Sequence, residues 1–406
     1  MKILDSGPCA LTCVAVALLA GCGGSQPPIG APGAMPVGGA LTTRSNSSNY
    51  EVLHVFRGRP DGWDVQASLL DVDGTLYGTS IQGGRFNKGT VYTITTSGAE
   101  QVLYNFPPVG RGRHPWSNLI DVKGTLYGTT YRGGKYQLGT VFSIGTNGGE
   151  HVIYSFGPDS DGENPEAGLV DVHDTLYGTT VFQGEDGAPP GCTFHGGTVG
   201  CGTVFSVTPS GTERVLHYFG SGSDGISPSG LIDVKGTLYG TTGGGAHGYG
   251  TVFSITTGGS EKILYSFAGG DDGAQPSASL ISANRRLYGV TDEGGTSGNG
   301  TVFSITRSGS KKIIYSFGPP DDGRFPLGGL IDVDGVLYGT TSQGGTAGLG
   351  TIFRIGSSGK EQIVHSFGGS TDGVVPTAAL IDVNGTLYGT TSGAGGPFST
   401  VYSFTP

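Results

Sequence analysis

Apolar and polar positions in this chain fall into short runs that never take a helical period. In HVIYSF (His151–Phe156), Val152, Tyr154 and Phe156 are expected on one face and Ile153 and Ser155 on the other, the alternation of a strand. Before it stand GTVFSI (Gly139–Ile144), TLYGTT (Thr125–Thr130) and LIDV (Leu119–Val122). Leu126 and Tyr127 are apolar neighbours, so that run is expected to be buried on both faces. Polar, Gly-rich turns separate the runs, as between short antiparallel strands.

This four-run unit repeats. The tripeptide LYG recurs at Tyr77, Tyr127, Tyr177, Tyr239, Tyr288, Tyr338 and Tyr388, with gaps of 50, 50, 62, 49, 50 and 50 residues. The long gap reflects an insertion at about residues 182–201. Four strands in a unit of this size match one propeller blade. The ends decide the architecture. EVLHVF (Glu51–Phe56) has the pattern of a fourth strand yet precedes the first unit, and the last unit stops after its third strand at TVYSF (Thr400–Phe404). The expectation is an all-β, seven-bladed β-propeller over residues 49–406, its N-terminal strand completing the last blade and removing an exposed sheet edge.

Composition agrees. The 80 Gly residues lack the collagen period, and 18 Tyr with 18 Phe argue against disorder. A net charge of −10 argues against nucleic-acid binding, which needs a basic footprint. In phase the layout resembles kelch repeats, with a different aromatic signature. The repeated LYGTT…GG…GTVF…G…LYSF more closely resembles the choice-of-anchor tandem repeat GloVer family of bacterial surface proteins. That resemblance covers about residues 51–404. It implies a surface location and a fold, but no reaction.

Residues 1–21 read as a signal peptide: Lys2 precedes an apolar stretch, Ala10–Ala20, too short to span a bilayer. Leu19-Ala20-Gly21-Cys22 resembles a bacterial lipobox. The resemblance implies that Cys22 is lipidated and becomes the first mature residue; an ordinary cleaved signal is the alternative. Residues 22–48 lack hydrophobic period and read as a tether spanning roughly 25–30 Å. The chain is thus expected to be exported and lipid-anchored to the cell envelope, at the outer membrane or cell surface. The lipid would be its membrane contact, and the chain a monomer. Cys192 and Cys201 remain as a pair in an oxidising compartment, which reads as a disulfide, with a metal pair as the alternative.

The loop Gly134–Gly139 followed by Thr140 imitates a phosphate loop. It lacks the Lys after the second Gly and leads into a strand instead of a helix, so it reads as architecture. Asp-Gly turns at Asp161, Asp224, Asp272, Asp322 and Asp372 precede Pro; Asp61-Gly62 leads to Val65 instead, and Arg111 takes the Asp place in the second unit. They read as turn caps spread round a ring, without the converging oxygens calcium requires. No metal and no cofactor is expected. His54, His217 and His365 occupy the Tyr position of the fourth strand, and no HExxH, GxSxG or CxxC motif occurs.

One asymmetry points to a ligand. The loops from fourth to first and from second to third strand should share a face. In the first two blades they hold Trp63 and Trp116 with Arg57, Arg59, Arg85, Lys88, Arg111, Arg113, Arg132 and Lys135, and Phe86, His114, Tyr131 and Tyr136 lie among them. Aromatic faces stack on sugars and guanidinium forks pair with carboxylates. The expectation is a binding or scaffold module, for an anionic glycan or a protein partner. An extracellular hydrolase or lyase with a loop-built site and a structural envelope spacer are the alternatives; enzyme activity stays open.

Overall fold

The computed structural model describes residues 49–158, 161–182, 193–194, 197–198, 201–220, 223–319, 321–369, 372–393 and 398–406. The expected signal, Cys22 and the tether lie outside these residues, as does Cys192. Seven antiparallel sheets each contain four strands in the order first, second, third, fourth. In blade two the strands are Ile120–Val122, Thr125–Thr130, Thr140–Gly145 and Glu150–Ser155. The short first strands touch those of neighbouring blades, that of blade seven meeting that of blade one, and so surround the axis. In blade seven, Tyr50–Phe56 pairs with Ser399–Phe404, the expected closure.

One detail of the alternation differs from expectation. In blade two the register skips between Val141↔Tyr154 and Phe142↔Val152, leaving Ile153 as an extra residue. The same bulge recurs in all seven fourth strands. A bulge bends and twists the outer strand, so strict period-two alternation ends there.

The core is divided into seven clusters, each built from two neighbouring blades. Between blades one and two, Phe106 meets Phe142 edge to face at 5.3 Å. The equivalent aromatic pair occurs at every junction, including Phe56 with Tyr92 at the closure, 4.8 Å apart. The Gly of LYG makes this packing possible: a Cβ on Gly128 would lie 2.8 Å from the Phe142 ring and 2.9 Å from Leu119. Leu126 and Tyr127 are buried, as both-face burial required. The two Thr residues of LYGTT have separate tasks. Thr130 pairs with Thr140 across the sheet at 2.8 Å, while the Thr129 hydroxyl donates to the carbonyl of Ala167 in the next blade at 3.2 Å. Thr390 does the same to Ala67 at 3.1 Å, across the closure.

Blades one and seven carry Tyr92 and Tyr402 where blades two to six carry Phe. Both hydroxyls are buried without a hydrogen-bond partner among the described residues. Tyr92→Phe and Tyr402→Phe are each expected to raise stability by about 1–2 kcal/mol, measured by urea unfolding, because an unsatisfied buried hydroxyl carries its full desolvation penalty.

Candidate functional site

The two loop types do share a face, and in each blade they zip together. Blade two has a two-residue ladder, Gly112–Arg113 against Arg132–Gly133, blade six has the same, and in blades one, three and five a single bridge such as Trp63↔Gln82 takes its place. Gly133 holds a positive φ of 94°, and a Cβ there would run into the carbonyl of Arg111. The glycine pair of the loop that imitates a phosphate cradle is thus needed for this loop–loop approach.

The residue after the ladder position is left-handed in all seven blades: Asp64, His114, Asn164, Ser227, Gln275, Phe325 and Val375 have φ between 48° and 60°. Such conformations are strained for side-chain-bearing residues and persist only when surroundings enforce them. Here the enforcing contact is a backbone bond to the preceding blade, as from His114 N–H to the Lys88 carbonyl at 2.8 Å. At the closure, Asp64 N–H donates to Ser399 Oγ at 3.0 Å. The backbone at this position is therefore alike in all seven blades, which differ there in their side chains.

Blade two gathers much of the expected patch. Arg113 and Arg132 are direct cross-strand partners. In blade six the equivalent positions are Arg324 and Gln343, whose side chains bond at 3.4 Å. Arg132 is exposed and lies 5.5 Å over the ring of Tyr131. Trp116 meets Tyr131 edge on at 5.3 Å and its Nε1 donates to Gln66 at 3.4 Å. His114 Nδ1 lies 2.9 Å from the Ile81 carbonyl. Burial, and then the nearby Lys88, Arg113 and Arg132 charges, hold its pKa below the ordinary value against that hydrogen bond. Burial, then Arg132, also lowers Arg113. Among the described residues, neither Arg113 nor Arg132 forms a salt bridge.

Other expected residues lie elsewhere. Trp63 occupies the ladder position equivalent to Arg113, and Trp116 a position further inward along the loop, so the two are not equivalent. Arg111 is turned to Glu150, donating to both its carboxylate and, at 2.7 Å, its carbonyl. Tyr131 is only 8 % exposed and serves as backing for Trp116. Arg59 and Arg85 are exposed, Arg85 beside Phe86 at 5.3 Å, and Lys135 beside Tyr136 at 4.8 Å. Cys201 is buried at the base of the insertion, and its expected partner lies outside the described residues.

The sequence reading missed three partly buried carboxyl groups on this face. Burial raises Asp64, and it pushes Glu166 up to about 7. Burial also takes Asp292 up to about 7 against a 2.5 Å hydrogen bond from Ser277. Glu166 follows Pro165 as Trp116 follows Pro115; alignment of the repeats reveals its place but not its burial. The three belong to blades one, three and five, spread round the ring. Among the described residues no three His, Cys, Asp or Glu side chains are grouped to hold a metal.

A family model, the Gloeobacter/Verrucomicrobia repeat, matches residues 32–188 and 180–403. No curated protein matches the chain. Among solved structures, a puromycin hydrolase is similar at 12% identity and a TM-score of 0.53, over 82% of this chain and 50% of that one. The likeness is one of fold, and the chain spans half of that enzyme. A putative gluconolactonase follows at 13% identity and TM-score 0.46, over 89% and 93% of the two chains. A gluconolactonase from Xanthomonas campestris matches at 14% identity and TM-score 0.43, over 73% and 86%.

Proposed function

The chain belongs to the Gloeobacter/Verrucomicrobia repeat family, and we propose that it is a binding module whose loop face takes an acidic glycan at blade two. The observation that supports this is the apposition of Arg113 and Arg132. Like charges directly opposite one another destabilise a strand pair, and this pair stands on a chain of net charge −10. A bound carboxylate or sulfate removes that cost by accepting hydrogen bonds from both guanidinium groups. Trp116, braced by Tyr131 and Gln66, offers an adjacent face for a sugar ring. Export and a lipid at Cys22 would hold the module at the cell envelope.

Titration calorimetry with an acidic and a neutral oligosaccharide tests the reading. The acidic ligand is expected to bind, and Arg113→Ala with Arg132→Ala to weaken it at least about 100-fold, since hydrogen bonds to charged groups contribute roughly 1.5–3 kcal/mol each. Arg59→Ala should change little. Equal affinity of wild type and the double variant, or of the two ligands, rejects it. A hydrolase reading rests on Glu166 and Asp292, whose raised pKa values suit proton transfer near neutrality. Turnover of a bound ligand that disappears in Glu166→Gln or Asp292→Asn would favour it.

A further inference from the structure

Each blade junction repeats a three-residue arrangement. The fourth strand of one blade supplies a Tyr or His. Seven residues later the loop supplies, in six junctions, an Asp. The start of the next fourth strand supplies a third group facing it. The Asp is fixed by backbone, as Asp161 is by Gly157 N–H at 3.0 Å and Asp322 by Gly318 N–H at 2.6 Å. The third group varies. At Asp272 it is Lys311, 2.8 Å away, and at Asp372 it is Tyr50. Between blades one and two the polarity is reversed, with Arg111 on Glu150.

The other four junctions set a Glu against the Asp: Glu100 with Asp61, Glu213 with Asp161, Glu261 with Asp224 and Glu361 with Asp322. In two of them a basic group stands by, His54 at 3.3 Å from Asp61 and His217 at 3.1 Å from Asp224. In the remaining two the strand residue is Tyr154 or Tyr315, which donates to the Asp and carries no positive charge. Among the described residues, the titratable groups facing Glu213 are Asp161, Tyr154 and Tyr218; those facing Glu361 are Asp322 and Tyr315. Arg214 and Lys360, their sequence neighbours, are exposed. Glu213 and Glu361 each bury an Oε1 without a hydrogen-bond partner.

We propose that these two junctions are acid-tightened clamps: the half-buried Glu213 and Glu361, each with an unpartnered Oε1 and an Asp in place of a basic group, keep their protons in the folded ring, so the ring closes more firmly as the medium is acidified. Two carboxylates cannot both ionise cheaply at close range in partly buried surroundings. Burial, then the Asp charge, pushes Glu213 and Glu361 up to about 7, with the Tyr154 hydroxyl opposing the shift at Glu213. Since the folded pKa exceeds the unfolded value, the contribution is fully present below the unfolded pKa, near 4.5, and is lost as pH rises through about 7.

The test is urea unfolding of the full chain between pH 5 and 8.5, with proton release on unfolding measured at pH 6. Each clamp changes the folding equilibrium by up to about ten-fold per pH unit. Glu213→Gln with Glu361→Gln is expected to release close to two fewer protons than wild type, to flatten the pH dependence, and to exceed wild-type stability at pH 8. Glu166 and Asp292 remain in both proteins, so the difference isolates the clamps. If the double variant does not fold, each single variant should release one proton fewer. Wild-type proton release in the variants, or a loss of stability that is the same at every pH, overturns the proposal.

Discussion

A chain lacking residues 49–57 is expected to lose cooperative folding altogether. The strand Tyr50–Phe56 completes blade seven, and Phe56 fills the junction with blade one at 0 % exposure. Its removal bares the edge of Ser399–Phe404 and opens a core cluster that includes Tyr92 and Val401. Loss of a buried Phe alone costs about 3–5 kcal/mol, against a total stability of roughly 5–15 kcal/mol. The exposed edge is in addition a template for aggregation. A circular permutant should rescue the fold. Thr405 N–H donates to the Asn49 carbonyl at 2.7 Å, so the two ends lie together. Starting the chain at residue 58 and joining Pro406 to Asn49 through a copy of Thr146-Asn147-Gly148-Gly149 makes blade seven an ordinary blade. Sedimentation and urea unfolding should find the truncation aggregated and the permutant near wild-type stability. A soluble, cooperatively folding truncation would show that closure is dispensable.

Phe142→Ala is expected to destabilise by about 4 kcal/mol, the cost of a large cavity in a packed core. Phe142 is fully buried and bridges Phe106 of the preceding blade and Gly128 of its own. Gly128→Ala should cost about 2–3 kcal/mol by overpacking, since its new Cβ lies within 3.0 Å of Phe142 and Leu119 atoms. The informative measurement is the double variant. If the glycine serves the ring, Gly128→Ala should cost far less once Phe142 is Ala, and the two effects should fall short of additivity by 1 kcal/mol or more. Additive losses would mean that Gly128 is required for another reason.

The blade count, the strand order and the closing strand could be read from the chain, because each rests on a repeated local pattern: LYG, GTVF and an orphan fourth strand at the N-terminus. The role of the Gly-rich loop was legible for the same reason, and Gly133 gives it a physical cause. The bulge at Ile153 was not legible, since a residue is called extra only relative to its partner strand. The binding patch was legible as a list of loop residues but not as a site. Arg111 and Arg113 are two residues apart, yet one is turned to Glu150 and the other faces Arg132.

By itself, then, the sequence determined a closed ring of seven four-stranded blades, because period-two runs, turn glycines and a displaced repeat phase act locally and recur. Only the tertiary structure decided which charges meet. Glu213 faces Asp161 from the next blade, and Glu361 faces Asp322. The two pairs lie 52 and 39 residues apart in the chain, and electrostatic cost depends on distance and burial in space, neither of which the order of residues states.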